Sequence, residues 1–414
     1  MMKLKKSKPL SILVAALMLA AMLIISVATA RPKQKPAAAD TAATVSQASD
    51  STPDETRDDM RGIWVTYMEL SMEYESDQSE AAFRRKFEAI AEDCKVSGFN
   101  TLIVQVRPFC DALYQSKLFP ASHVLSGEQG KSLGYDPLRI MCAICQKRGL
   151  RLHAWVNPYR VTVNQTPAQF SDNNPYVKDP SLGIETESGI ILDPSNERAR
   201  QLIVDGVREI AENYAVDGIQ FDDYFYPTDI ENLDHAQYQA YAATVKEGEP
   251  MDLAQWRREN VNLLLAQVYL AVHRAKENVV FGVSPQGNLQ NNEVLYADVV
   301  RWCEKQGYVD YICPQIYFSP DNPAMGFETA LDEWQALDIA DSVRLYVGLA
   351  GYKAGSDEDA GTWLGKDDVL ATELNILRKK NKVKGFLLYG YASLHAEQAQ
   401  AEMQHFLAAV GQSG

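Results

Sequence analysis

Asp222 and Asp223 are adjacent acids at the end of the run Asp217-Gly-Ile-Gln-Phe-Asp222, followed at once by Tyr224, Phe225 and Tyr226. Two neighbouring carboxylates at a buried strand end repel each other and lose hydration, a cost that partners or function must offset. Polar and aromatic residues bunch in the same way behind other apolar runs. Gln105, Arg107, Asp111 and Tyr114 end one; His153, Trp155, Asn157, Tyr159 and Arg160 end another. Ser284, Gln286 and Asn288 follow a third, Gln315 and Tyr317 a fourth, and Tyr352, Tyr389, Tyr391 and Ser393 close the last two. Carboxylates among aromatic faces and amides suit sugar chemistry. Ring faces stack on pyranose faces, amides and Arg bind hydroxyls, and two carboxyl groups flank the scissile bond. The chain has no G-x-S-x-G elbow, no Gly-rich phosphate cradle and no paired His suited to a metal.

Each residue has a plainer alternative. Trp64 and Trp155 can pack inside a barrel, and His153 can be a core histidine bonded to a backbone carbonyl. Asp217, before Gly218, reads as a turn residue, and Asp193-Pro194 with Ser195 as the start of a helix. Asp222 and Asp223 can be ion-paired with Arg107 or Arg160, and Glu69 and Asp111 can be solvated loop acids.

The elements that must position these residues alternate between two periodicities. Short β-branched runs predict strands over 61–67, 101–107, 151–157, 217–222, 279–284, 311–316, 344–349 and 385–389. Amphipathic stretches predict helices over 79–97, 136–148, 195–214 (Ser195 as N-cap), 252–276, 293–306, 326–338, 367–380 and 395–410, with a long polar loop over 160–193. Eight βα units in one composition regime predict an α/β fold, a (β/α)8 TIM barrel with loop insertions over 59–412. A doubly wound open sheet is the alternative, weakened because no G-x-G-x-x-G follows the first strand.

The N-terminus reads differently. Lys3, Lys5, Lys6 and Lys8 precede an apolar run from Leu10 to Val27 that ends Ala28-Thr29-Ala30. That pattern predicts a signal peptide or membrane anchor over 1–30, and so an exported protein that is secreted, wall-associated or anchored facing outside. Residues 31–58, rich in Ala, Pro, Thr, Ser and Asp, predict a flexible linker. Among 414 residues, 40 Lys and Arg face 55 Asp and Glu, a net charge of −15. Without the four lysines, 36 face 55, a net of −19. This acidity argues against nucleic acid as a partner, and leaves the membrane as a partner only through an uncleaved N-terminal segment. It also means that an anionic wall polymer must be held by local stacking and hydrogen bonds. The six cysteines, including Cys142 and Cys145 within one predicted helix, read mainly as small buried hydrophobes.

Several long motifs recur together. Met60-Arg-Gly-Ile-Trp-Val-Thr-Tyr67, Gln105-Val-Arg-Pro108, Asp111-Ala-Leu-Tyr114, His153-Ala-Trp-Val-Asn-Pro-Tyr-Arg160, Ile191-Leu-Asp-Pro194 and Asp217-Gly-Ile-Gln-Phe-Asp-Asp-Tyr-Phe-Tyr-Pro227 resemble the glycosyl hydrolase-like 10 family. So do Gly282-Val-Ser-Pro285, Pro314-Gln-Ile-Tyr317 and Leu388-Tyr-Gly-Tyr391. The resemblance spans roughly residues 59–400 and implies an exported bacterial TIM-barrel glycosidase whose partner is cell-wall glycan, including peptidoglycan strands stripped of peptide. The 217–224 stretch also resembles the family 18 chitinase pattern D-G-x-D-x-D-x-E, with departures: Gln220 replaces the second acid, and Tyr224 stands where the catalytic Glu belongs. The substrate-assisted chitinase mechanism therefore does not carry over intact.

The expected catalytic set is Asp222 as nucleophile or electrostatic stabiliser, with Asp223, Asp111 or Glu69 as acid/base. The expected substrate-binding set is Gln105, Arg107, His153, Asn157, Gln286, Gln315 and Tyr317, with Trp64, Trp155, Tyr159, Tyr226 and Tyr391 as stacking surfaces. No metal and no cofactor are expected. A catalytically silent glycan-binding scaffold and a wall transglycosylase are the rival functions.

Overall fold

The computed structural model describes residues 59–227 and 233–411. The predicted signal or anchor and the linker lie outside the described residues. Ten strands form: β1 Met60–Val65, β2 Thr101–Arg107, β3 Arg151–Val156, β4 Gly183–Thr186, β5 Gly189–Leu192, β6 Gly218–Phe221, β7 Val280–Val283, β8 Tyr311–Ile312, β9 Arg344–Ala350 and β10 Val383–Tyr389. Eight of them close a parallel barrel in the order β1-β10-β9-β8-β7-β6-β3-β2. The fold is a (β/α)8 barrel, as expected from the sequence.

Each barrel strand reads as a nearly continuous apolar run because both of its faces are buried. The outward face packs beneath the helices. In helix Glu197–Asn213, for example, Ile203, Val207 and Ile210 recur every three or four residues and are fully buried. The inward face forms a second core of Met60, Trp64, Ile103, Trp155, Val280, Tyr311, Cys313, Tyr346 and Leu387. Glycine makes room for its largest members. A Cβ on Gly282 would lie 2.2 Å from the Tyr311 ring, and one on Gly218 would lie 2.7 Å from the His153 ring. Gly282→Ala is therefore expected to destabilise the barrel by about 1–3 kcal/mol, the usual cost of overpacking, read as a lower urea midpoint with unchanged slope.

Several boundaries differ from expectation; the expected 395–410 helix, for one, begins only at Gln400, after the short turn Glu397–Ala399. The predicted 311–316 strand stops at Ile312, because Pro314 has no N–H for the ladder. Pairing resumes only as single bridges from Gln315 to Gln286 and Gly348. The predicted 293–306 helix is two short helices, Leu289–Val294 and Val299–Glu304, separated at Tyr296, whose φ is +54°. The helix starting near 195 is capped by Asn196, whose side chain accepts the Arg198 and Ala199 N–H groups, and not by Ser195. Ser195 instead donates both its N–H and its hydroxyl to Asp193.

The polar loop at 160–193 also carries the antiparallel hairpin β4–β5. Residues 235–253 form a separate unit with helix His235–Thr244, in which the Tyr238 hydroxyl donates to the Met251 carbonyl at 2.9 Å. Among the described residues, no helix is long and apolar enough to cross a membrane. All six cysteines are buried and unpaired.

Candidate active site

Asp222 and Asp223 follow β6 directly and face a cleft of about 410 Å³ at the C-terminal mouth of the barrel. Its walls come from neighbouring strands: Trp64 on β1, Trp155 on β3, Tyr389 at the end of β10, and Gln286, Gln315, Tyr317 and Tyr352 from the loops after β7, β8 and β9. This is where barrel enzymes place their chemistry.

The two acids are held by different partners. Asp222 accepts the Trp155 indole N–H at 3.2 Å and the Asn157 amide on one oxygen, while its other oxygen has no protein partner. Gln105 orients Asn157 by donating to its amide oxygen at 2.6 Å. The Gln105 oxygen in turn accepts the Tyr67 backbone N–H at 3.1 Å. Asp223 accepts the Gln286 amide on one oxygen and the Gln315 amide at 3.1 Å on the other. Gln315 is itself fixed by the Ser284 carbonyl at 2.9 Å. Among the described residues neither acid forms an ion pair, so the Arg107 or Arg160 salt bridge is not what holds them. The guanidinium of Arg160 lies over the Tyr224 ring instead, 4.6 Å from its centroid.

Burial pushes the Asp222 carboxyl up to about 7, with the Asp223 charge adding to the rise and the Arg160 charge and the Trp155 hydrogen bond opposing it. Burial also raises Asp223, but its two amide donors favour the charged form. The site thus holds one carboxyl that keeps its proton near neutrality and one whose ionised form is solvated by amides. Replacing Gln286 with Leu removes one of those amides. It is expected to move the acidic limb of the pH–rate profile upward, with kcat falling roughly tenfold; an unmoved limb refutes the assignment.

The aromatic wall centres on Tyr389. Trp64, Tyr317 and Tyr352 each have ring centroids 5.9 Å from it, and Trp155 lies at 6.4 Å. Tyr389, Tyr352 and exposed Tyr224 are cleft residues that the expected set omitted. Their signal was their place at strand ends.

Other expected residues lie elsewhere. Glu69 caps a helical turn, accepting the Thr66 N–H at 2.5 Å and the Ala392 N–H at 2.9 Å. Asp111 is fully buried and pairs with His123 Nδ1 at 3.0 Å and Gln129 at 3.1 Å. Neither is a solvated loop acid and neither lines the cleft. Arg107 is buried against Phe119, in space left by Gly206. His153 bonds the Tyr311 hydroxyl at 3.0 Å inside the barrel. Tyr159 is buried, Tyr226 packs on Tyr296 at 5.2 Å, and the Tyr391 hydroxyl donates to Asp93 at 2.7 Å, so none of the three presents a face to the cleft. Asp217 is structural, accepting the Leu152 N–H at 2.8 Å at the opposite end of β6. Among the described residues, no group of three or more His, Cys, Asp or Glu side chains is placed to hold a metal ion.

The glycosyl hydrolase-like 10 family matches residues 59–363. The chain belongs to that family. The stretch covers β1 through β9 and both acids, so this member of the family is a glycoside hydrolase with its carboxylates at the family barrel's mouth. It is 33% identical over 359 residues to the Glycosyl hydrolase YngK of Bacillus subtilis, covering 81% of this chain and 69% of that one. It is 32% identical over 337 residues to the Glycosyl hydrolase DigH of Escherichia coli, covering 74% and 75%. Among solved structures, the PgaB glycoside hydrolase domain of Bordetella bronchiseptica superposes with a TM-score of 0.53 at 13% identity, over 84% of this chain and 99% of that one. The alpha-L-fucosidase isoenzyme 2 of Paenibacillus thiaminolyticus does so at 0.53 and 12%, over 85% and 49%. These two likenesses show the barrel fold.

Proposed function

We propose that this glycoside hydrolase is exported and cleaves N-acetylhexosamine strands of cell-wall peptidoglycan. The carrying observation is the pair Asp222 and Asp223 at an aromatic cleft, with Asp222 raised to about 7 by burial and Asp223, also raised by burial, accepting amides from Gln286 and Gln315 that favour its ionised form. In this reading Asp222 is the general acid that protonates the glycosidic oxygen. That assignment differs from the nucleophile or stabiliser role expected from sequence, and the reason is its burial. Asp223 is the carboxylate that stabilises the oxocarbenium-like transition state or activates the attacking water. Trp64, Trp155 and Tyr389 stack on sugar faces, and Tyr317 and Tyr224 border the same cleft.

Export is supported by the basic and apolar N-terminal thirty residues. The wall-glycan substrate is supported by the family motifs and by a cleft that offers amides and aromatic rings to the hydroxyls, N-acetyl groups and ring faces of its sugars. The test is mass spectrometry of products from purified strands with and without peptide. Soluble fragments with new reducing ends are expected. Binding without new ends would establish the scaffold instead, and redistribution of chain lengths without new ends the transglycosylase.

A further inference from the structure

A larger cavity, about 1140 Å³, lies beside the cleft and contains neither acid. It is built by the segments after β1, β2 and β3, residues 67–74, 123–131 and 166–173. It therefore opens on the same C-terminal face of the barrel. We propose that this cavity is a second saccharide site for the same glycan strand, so that the protein holds a polymer across several sugar units instead of a chain end. The proposal rests on the glycan-hydrolase reading and adds to it where the rest of the strand lies.

Three observations carry it. First, the cavity and the cleft share a wall. A hydrogen-bonded row runs from Asp222 through Asn157 and Gln105 to the backbone of Tyr67, which lines the cavity. Above it runs a row of rings and one cation. Tyr224 at the cleft lies under Arg160, whose guanidinium is also 5.9 Å from the Phe109 ring. The Phe109 ring lies 5.1 Å from that of His123 and 5.5 Å from that of Tyr67, both lining the cavity.

Second, the cavity presents exposed apolar and aromatic side chains. Tyr74 is 92% exposed and Met68 is 64% exposed, and half-buried Phe170, packed on Tyr176, joins them in the lining. An exposed ring beside an exposed amide such as Gln169 is a saccharide-binding combination. With three lining carboxylates, Glu73, Glu128 and Asp172, against one lysine, Lys131, the cavity must hold sugar rings by stacking and hydrogen bonds and not by charge.

Third, His123 is held at the cavity wall by an acid that solvent does not reach. Asp111 has no exposure, and its hydrogen bonds to His123 and Gln129 offset the cost of burying the carboxylate. Held at Nδ1, the imidazole has its position in the wall set before any ligand arrives.

The test is equilibrium binding of peptide-free N-acetylhexosamine strands of increasing length to the full chain carrying Asp222→Asn, which prevents turnover. Affinity is expected to keep rising with length beyond strands that fill the cleft alone. Adding Tyr74→Ala, a change at a side chain too exposed to affect folding, is expected to weaken the longest strands by roughly fivefold. Phe170→Ala is expected to act in the same direction. A plateau at cleft-filling length, or long-strand affinity untouched by both substitutions, overturns the second site. Length-dependent binding by a wild-type chain that releases no products overturns the hydrolase reading and leaves the second site standing.

Discussion

Asp222→Asn is expected to lower kcat on purified glycan strands by roughly 10³-fold or more, as loss of a general acid does, while the far-ultraviolet spectrum and the melting cooperativity stay those of the wild type. The substitution keeps the shape of the side chain and its acceptor for Trp155 and Asn157. It removes only the proton that the buried carboxyl delivers. Stability moves the opposite way. The folded carboxyl sits near 7, above its unfolded value, so its contribution is fully present below the unfolded value and is lost as pH rises through about 7. At pH 8 the wild type holds a buried charge that the Asn variant lacks, and the variant is expected to melt higher. A variant with wild-type product release refutes the acid role, and one that melts lower refutes the electrostatic account of it.

The pH–rate profile gives the second large effect. With Asp222 as the acid, kcat/KM is expected to fall about tenfold per pH unit above an alkaline limb near 7. The acidic limb belongs to Asp223. Because the two acids are neighbours and Asp223 contributes to the rise at Asp222, both limbs are properties of the pair. Asp223→Asn removes the neighbouring charge and is expected to lower the carboxyl of Asp222, read as a downfield carbon shift on titration that begins at lower pH. A rate that stays flat from pH 6 to 9 (a span of about three units) contradicts a buried acid.

Much of the barrel was legible. Its eight inner strands are short β-branched runs, and its helices carry stripes such as Ile203, Val207 and Ile210, because burial on both faces and on one stripe leave different periods in a chain. Two of the boundaries that slipped did so at single residues with local causes, Pro314 in the β8 run and Tyr296 between two short helices. The adjacent acids were also legible, since two carboxylates ending an apolar run are costly anywhere.

What the sequence by itself determined is the order of strands, the face on which polar residues collect, and the class of chemistry they can do. Only the tertiary structure decided which of them meet. Trp155 lies level with Gln220 in the β3–β6 register, and Tyr389 comes from the far end of the chain to join Trp64. Tyr159, Tyr226 and Tyr391 stand at similar places in the sequence but turn into the protein, because residues beyond a strand take their direction from distant contacts such as Tyr296 and Asp93. The protonation of Asp222 is tertiary for the same reason. It is set by water removed and donors supplied by other strands, and no local spacing encodes that burial.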